Sequence, residues 1–166
     1  MKSTRSALLI FMLLCLSALL FVWYSSYLLP AQVASHFDVS GKVNGVMPRH
    51  FYIGLMLVLI VSAPVSLVIL PLSAFRNPKT KLNLPHKAYW LAPERRAETV
   101  THLSRQAIRF ASLVLVFLCY MHGLVVWANQ SSPALLSTRA ALLGLIVFLL
   151  ATLMWIFSLL RMFRLN

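Results

Sequence analysis

His36 and Asp38 stand two residues apart in Val33-Ala34-Ser35-His36-Phe37-Asp38-Val39. In extended backbone, residues i and i+2 point to one side, so the imidazole and the carboxylate would share a face. A carboxylate beside an imidazole fixes its tautomer, whether the ring holds a proton or a metal. Zinc sites usually take at least three protein ligands, and His50 and His122 are the histidines that could complete a set. A calcium loop is excluded, because Asp38 is the loop's lone carboxylate where several are required. Two readings stand. Either His36 and Asp38 hydrogen-bond their own loop, or, with His122, they form a metal or proton site. No metal ligand set is assigned and no cofactor is expected. No nucleophile stands with its base in a recognisable pattern, so the expectation is a protein without enzymatic activity.

A second polar segment reads Asn83-Leu84-Pro85-His86-Lys87-Ala88-Tyr89-Trp90-Leu91-Ala92-Pro93-Glu94-Arg95-Arg96. Pro85 breaks a preceding helix, and Tyr89 and Trp90 suit the headgroup layer of a membrane. Pro93 fits the first position of a helix, with Glu94 beside the positive end of the helix dipole. No breaker follows before Gly123, so one long helix is expected. The segment is either an interfacial anchor or a docking surface for a cytoplasmic partner or an acidic lipid, built from Lys87, Arg95 and Arg96.

The elements that position these residues follow from composition. The chain has 166 residues, 60% of them hydrophobic and 11% charged, against about 25% charged in soluble domains. So apolar a chain cannot cover itself with polar surface, and lipid must solvate much of it. Crossing a hydrocarbon core of roughly 30 Å takes about 20 apolar residues, and 7–29, 51–74, 107–128 and 140–160 each qualify. The first run is too long for a signal-peptide core and ends in Trp23, Tyr24 and Tyr27, an interfacial belt, so it is expected to remain as an anchor. The expected fold is an all-α membrane protein: a four-transmembrane-helix bundle with a short structured outer loop, which could form a small hairpin, and an interfacial inner loop. It forms one domain over 1–166. Within it, 7–74 is a helix-loop-helix pair, 75–106 a cytoplasmic interfacial loop and 107–161 a second helix pair.

The formal charge is +12, and the basic residues stand beside apolar runs, which fits anionic headgroups at about 1 kcal/mol per residue rather than nucleic acid. With both termini inside, Lys2, Arg5, the 76–109 region, Arg161 and Arg164 put twelve of the 15 basic residues in the cytoplasm. Lys42, Arg49 and Arg139 remain outside. The positive-inside rule favours that orientation. The spans hold no Asp, Glu, Lys or Arg away from their ends, which argues against a monomeric channel or proton-coupled transporter. His122 is the titratable exception, in the outer half of the third span. Pro64 and Pro71 interrupt the second span, either bending it for packing or opening a hinge or polar pocket. Cys15 and Cys119 lie in apolar runs and read as small hydrophobes; their redox state is not legible.

The outer loop also carries turn signals. Gly41 and Asn44-Gly45 accept positive φ, which predicts a structured cap. The positions Leu29, Pro30, Val33, His36, Phe37, Asp38, Gly41 and Gly45 together resemble the signature of the domain of unknown function 1648, over roughly residues 10 to 65. In that family the signature loop joins two membrane helices, and Val46 stands here where the family often has an aromatic. The same domain occurs at the amino end of the membrane proteins that protect bacteria from sporulation-delaying toxin. The resemblance therefore implies a bacterial inner-membrane module that binds a partner, as immunity or signalling would require. The signalling half of the immunity proteins is expected to need several spans beyond the four read here. The 83–96 segment resembles a stretch in bacterial relatives of the same two-part architecture. Three functions remain open: a non-enzymatic module binding a protein partner or a second copy, a metal- or proton-binding membrane protein, and a subunit of a small oligomeric transporter.

Overall fold

The computed structural model describes residues 2–77 and 82–164, with the side chains of Lys2, Ser3 and Arg76 excepted. Lys79 and Lys81 of the inner loop lie outside the described residues. Five α-helices and one hairpin follow in the order α1 (Lys2–Ser25), β1 (Gln32–Phe37), β2 (Val43–Pro48), α2 (Arg49–Arg76), α3 (Lys87–Trp90), α4 (Pro93–Ala128) and α5 (Thr138–Met162). Four of them, α1, α2, α4 and α5, are long and apolar enough to cross a membrane. The chain is a multi-pass, all-α membrane protein with a small two-stranded sheet.

Each helix ends where its sequence dictates. The Ser25 and Ser26 hydroxyls donate to the carbonyls of Phe21 and Val22 at 2.6 and 2.5 Å. One 3-10 turn, Ser26–Leu28, then leads to Leu29-Pro30, where the residue before proline is driven out of helical conformation. Pro93 opens α4 with Glu94 in the first turn, as the sequence predicts. The α4 helix continues unbroken for 36 residues, about 54 Å at 1.5 Å per residue. That exceeds the hydrocarbon core by roughly four turns, so α4 extends past the hydrocarbon. The Ser137 hydroxyl accepts the Ala140 N–H and caps α5. The α2 helix runs through both prolines, and Pro64 is fully buried, so it serves packing.

Helices α1, α2 and α4 pack on one another, and α5 lies against α4. The core at the hairpin end joins Ala18 and Val22 of α1, Leu29, Val33 of β1, Tyr52, Met56 and Ile60 of α2, and Leu115 and Val126 of α4. A second cluster of Phe11, Val68, Ile108 and Ala111 closes the other end. Along α4 and α5 runs an aromatic seam: Phe117 stacks on Phe148 at 4.4 Å and Phe110 on Trp155 at 4.5 Å. Gly144 admits the Tyr120 ring, which a Cβ would strike, and the Tyr120 hydroxyl donates to Ala140 O. No residue of α5 is buried, as a helix solvated by lipid on its remaining faces requires. Cys15 and Cys119 are half-buried free thiols packed against the core.

The outer loop is a hairpin. β1 pairs antiparallel with β2, with irregular register around His36. Its turn lies at Asp38–Lys42, with Gly41 at φ +83°. The Asn44-Gly45 pair is not the turn; both residues lie in β2. Gly45 is small for another reason, since a Cβ there would stand 3.0 Å from the Cβ of His36 across the ladder.

Candidate polar network at the hairpin end

His122 lies six residues before the end of α4 and is 1% exposed. Its Nε2 is 2.8 Å from Ser25 Oγ at the end of α1. Its Nδ1 is 3.0 Å from the Tyr52 hydroxyl, one turn into α2. Tyr52 stacks on the imidazole with centroids 5.8 Å apart, and Phe21 meets it edge-on at 5.6 Å. One imidazole thus ties three helices together.

The direction of these bonds decides what chemistry they allow. Ser25 has one proton to give, and Phe21 O lies 2.6 Å from its oxygen. If Ser25 donates there, it must accept from His122 Nε2–H, and Nδ1 must accept the Tyr52 proton. Each group is then satisfied in a single chain, Tyr52 to His122 to Ser25 to the Phe21 carbonyl. In the reverse arrangement Tyr52 has no acceptor among the described residues, and the Phe21 bond is lost. Buried polar groups take the arrangement that leaves none unpaired. In that arrangement His122 donates to Ser25 and does not draw its proton.

Above this network the hairpin is pinned at three places. The Asn129 side chain, just past the end of α4, treats β1 as a strand neighbour would. The Ala34 N–H donates to Asn129 Oδ1 at 2.8 Å, and Asn129 Nδ2 donates back to Ala34 O at 2.9 Å and to Val125 O at 2.8 Å. At the hairpin's base, the Arg49 backbone N–H donates to Ala31 O and its guanidinium to Leu29 O. At the tip, the Leu136 N–H donates to Gly41 O at 2.9 Å, and Lys42 bridges to Leu135. Leu29 and Val33 are buried beneath.

Asp38 is engaged inside the turn. Its Oδ1 accepts the Ser40 hydroxyl at 2.7 Å, the Ser40 N–H at 2.8 Å and the Lys42 N–H at 3.0 Å. The Ser40 hydroxyl and the Lys42 N–H hold its carboxyl below the usual carboxylate range. A depressed folded value means that the carboxylate's contribution to the turn is present above the unfolded value and lost as pH falls through the folded one. The Ser40 and Lys42 amide shifts should therefore titrate together, with a midpoint below 3.8. Asp38→Asn should abolish that transition; a midpoint at or above the ordinary aspartate value would contradict the geometry.

His36 is exposed opposite Gly45, and His50 is exposed at the start of α2. Because Asp38 turns into its own loop and His122 is engaged by Tyr52 and Ser25, the His36, Asp38 and His122 set does not assemble. Among the described residues no three His, Cys, Asp or Glu side chains gather in a way that could hold a metal ion. Phe37 is half-buried opposite Val43, and Pro30 is exposed.

At the opposite, basic end, the 83–96 segment ties helix ends together. Pro85 lies in the turn before α3, and His86 adopts a left-handed conformation with φ 51°. The Thr99 hydroxyl donates to Trp90 O at 2.8 Å, and Trp90 meets Phe163 edge-on at 5.7 Å. The Arg96 guanidinium donates to Phe75 O and Asn77 O at 3.4 and 3.3 Å, carbonyls that the end of α2 leaves without helical partners. Arg96 is therefore not free for the docking surface expected of it beside Lys87 and Arg95. Arg95 lies 3.9 Å over the Tyr89 ring, and Lys87 is exposed.

Sequence reasoning does not single out Ser25, Tyr52 or Asn129. The signal it offers is positional: each is polar and lies within two turns of the helix ends that flank the hairpin. The family model of a domain of unknown function (DUF1648) matches residues 10–61, which takes in most of α1, the hairpin and the first part of α2. No curated protein and no solved structure matches the chain.

Proposed function

We propose that this chain, whose residues 10–61 match a domain of unknown function, is a non-enzymatic module of a bacterial cytoplasmic membrane that binds a protein partner through its capping hairpin. The basic end faces the cytoplasm among anionic headgroups, with both termini on that side. Immunity or signalling is the kind of process such a module serves. One observation carries the reading: Asp38 is engaged within the hairpin turn and His122 between the helices beneath it, while apolar residues on the cap are left uncovered. Val39 at the tip is 94% exposed and Val46 on β2 is 62% exposed. Val46 and the exposed His36 and Gln32 belong to a sheet whose inner side is fixed by Val33 and Asn129. Orientation is supported by the distribution of basic residues, twelve on one side of the spans and three on the other.

A photo-cross-linking residue placed at Val46 in living cells tests the recognition. It should give one adduct of defined mass, absent when the residue is placed at the lipid-exposed Leu149, and lost when Gly41→Val unfastens the hairpin. No adduct at Val46, or an adduct indifferent to Gly41→Val, contradicts partner binding by a fixed cap. Reporter fusions at the hairpin and at the 83–96 segment should report opposite compartments; the same compartment for both would overturn the orientation.

A further inference from the structure

At the basic end, the start of α4, the end of α5 and α3 enclose a cleft of about 270 Å³ lined by Tyr89, Trp90, Arg95, Glu98, His102 and Met162, among others. Its depth is fixed by the α4–α5 seam. The pairs Phe117–Phe148 and Phe110–Trp155 set an antiparallel register, which carries Met162, the last residue of α5, to the level of His102. The apolar run of α5 ends there, so the cleft opens where hydrocarbon gives way to headgroups. Tyr89 and Trp90 are the side chains expected at that level.

The Arg95 guanidinium carbon lies 3.9 Å from the centre of the Tyr89 ring, over its face. A cation–π contact uses none of the guanidinium's N–H donors as hydrogen bonds to a carbonyl or carboxylate, so its fork stays available. Among the described residues no side chain or carbonyl accepts a hydrogen bond from that fork, whereas Nη2 of the neighbouring Arg96 donates to the end of α2. Tyr89 is itself held, because Thr99 fastens Trp90 to α4 and Phe163 closes on Trp90. An unpaired guanidinium fork is the group that binds a phosphate through two parallel bonds. One turn along the same helix stands Glu98, whose carboxylate lies 3.7 Å from His102 Nε2, too long for a hydrogen bond. The cleft therefore offers a phosphate-binding fork and, beside it, a carboxylate with capacity for a cation.

We infer that this cleft seats the headgroup of an ammonium-bearing phospholipid, with Arg95 on the phosphate and Glu98 on the ammonium. The inference deepens the reading that places the basic end among headgroups, and rests on it. The general positive charge of that end attracts any anionic lipid and distinguishes none. Glu98 supplies the distinction, since it favours a headgroup that carries a cation beside its phosphate and repels one that is purely anionic. At about 270 Å³ the cleft lies below the usual range for drug-sized ligands, a size for a headgroup while the acyl chains remain in the bilayer.

Native mass spectrometry of the full chain, released from micelles doped with one lipid at a time, tests this. The lipids are phosphatidylethanolamine and phosphatidylglycerol of identical chains, with inorganic phosphate as a third arm. The wild type should retain phosphatidylethanolamine about tenfold better than phosphatidylglycerol. Arg95→Gln should lower phosphatidylethanolamine retention about tenfold. Glu98→Gln should remove the preference while leaving phosphatidylglycerol bound at least as well. Retention of phosphatidylethanolamine unchanged by Arg95→Gln, a preference that survives Glu98→Gln, or displacement of lipid by millimolar phosphate would each overturn the assignment. Failure of the underlying reading looks different: the wild type would then retain neither lipid. Thermal unfolding of each variant in the same detergent guards against misfolding, because both side chains are exposed and their loss should leave the midpoint within a degree or two of the wild type.

Discussion

Gly41→Val will release the hairpin from the α4–α5 connection and expose it to proteolysis. The position combines two demands that only glycine meets. Its φ of +83° lies in the left-handed region, which costs a residue with a Cβ about 1–2 kcal/mol and a β-branched one more. A Cβ there would also strike the Leu136 carbonyl oxygen. The backbone must move, and with it go the Leu136 N–H to Gly41 O bond and the Lys42–Leu135 bridge. An unpaired, partly buried amide adds about 1–3 kcal/mol, so the local cost is about 3 kcal/mol or more. That corresponds to roughly a hundredfold rise in the open population, and protease cleavage between β1 and β2 in oriented vesicles should accelerate accordingly. Gly54→Val is the control, because a Cβ at Gly54 meets nothing within 4 Å. Equal cleavage of the two variants would show that the tip is not fastened as described.

His122→Leu is expected to destabilise the helical core by about 2 kcal/mol. Leucine fills much of the volume but leaves the Tyr52 hydroxyl without a partner in an apolar setting, at about 1–3 kcal/mol. Interhelical hydrogen bonds in membranes average about 0.6 kcal/mol and reach about 1.7, so the coupling between His122 and Tyr52 should fall in that range. Tyr52→Phe should be costly alone and nearly neutral, or stabilising, in the His122→Leu background. Reversible unfolding in mixed micelles measures the cycle. A Tyr52→Phe cost that is the same in both backgrounds would mean that the two side chains do not share a bond.

The four spans are legible in the sequence because little besides a bilayer calls for runs of about twenty apolar residues. The length of α4 is legible because Pro93-Glu94 marks a helix start and no breaker follows. The hairpin is legible as a structured loop, but the position of its turn is not. Asn44-Gly45 carries the stronger turn signal, yet Gly45 is small to clear His36 and not to bend the chain. The role of Asp38 is half visible. Its pairing with His36 presumes regular extension, whereas the ladder is irregular around His36 and Asp38 begins the turn. Arg96 cannot be assigned from sequence, because the carbonyls it caps lie about twenty residues earlier at the end of α2. His122 stands out as a lone titratable group. Its partners do not, since a serine or tyrosine near a helix end gives no periodic signal and only packing brings three ends together.

The proposed reading of the cap as a binding surface rests on fixed donor and acceptor roles for Tyr52, His122 and Ser25. The proton on the His122 ring reports this directly. Nitrogen-15 NMR of the protein in bilayers, with the His122 signals identified through His122→Leu, distinguishes the ring nitrogens. The expected result is a proton on Nε2, facing Ser25, and a bare Nδ1 that accepts from Tyr52. A proton on Nδ1 with Nε2 bare would make His122 the acceptor of the Ser25 hydroxyl, an activated serine, and would contradict the non-enzymatic reading.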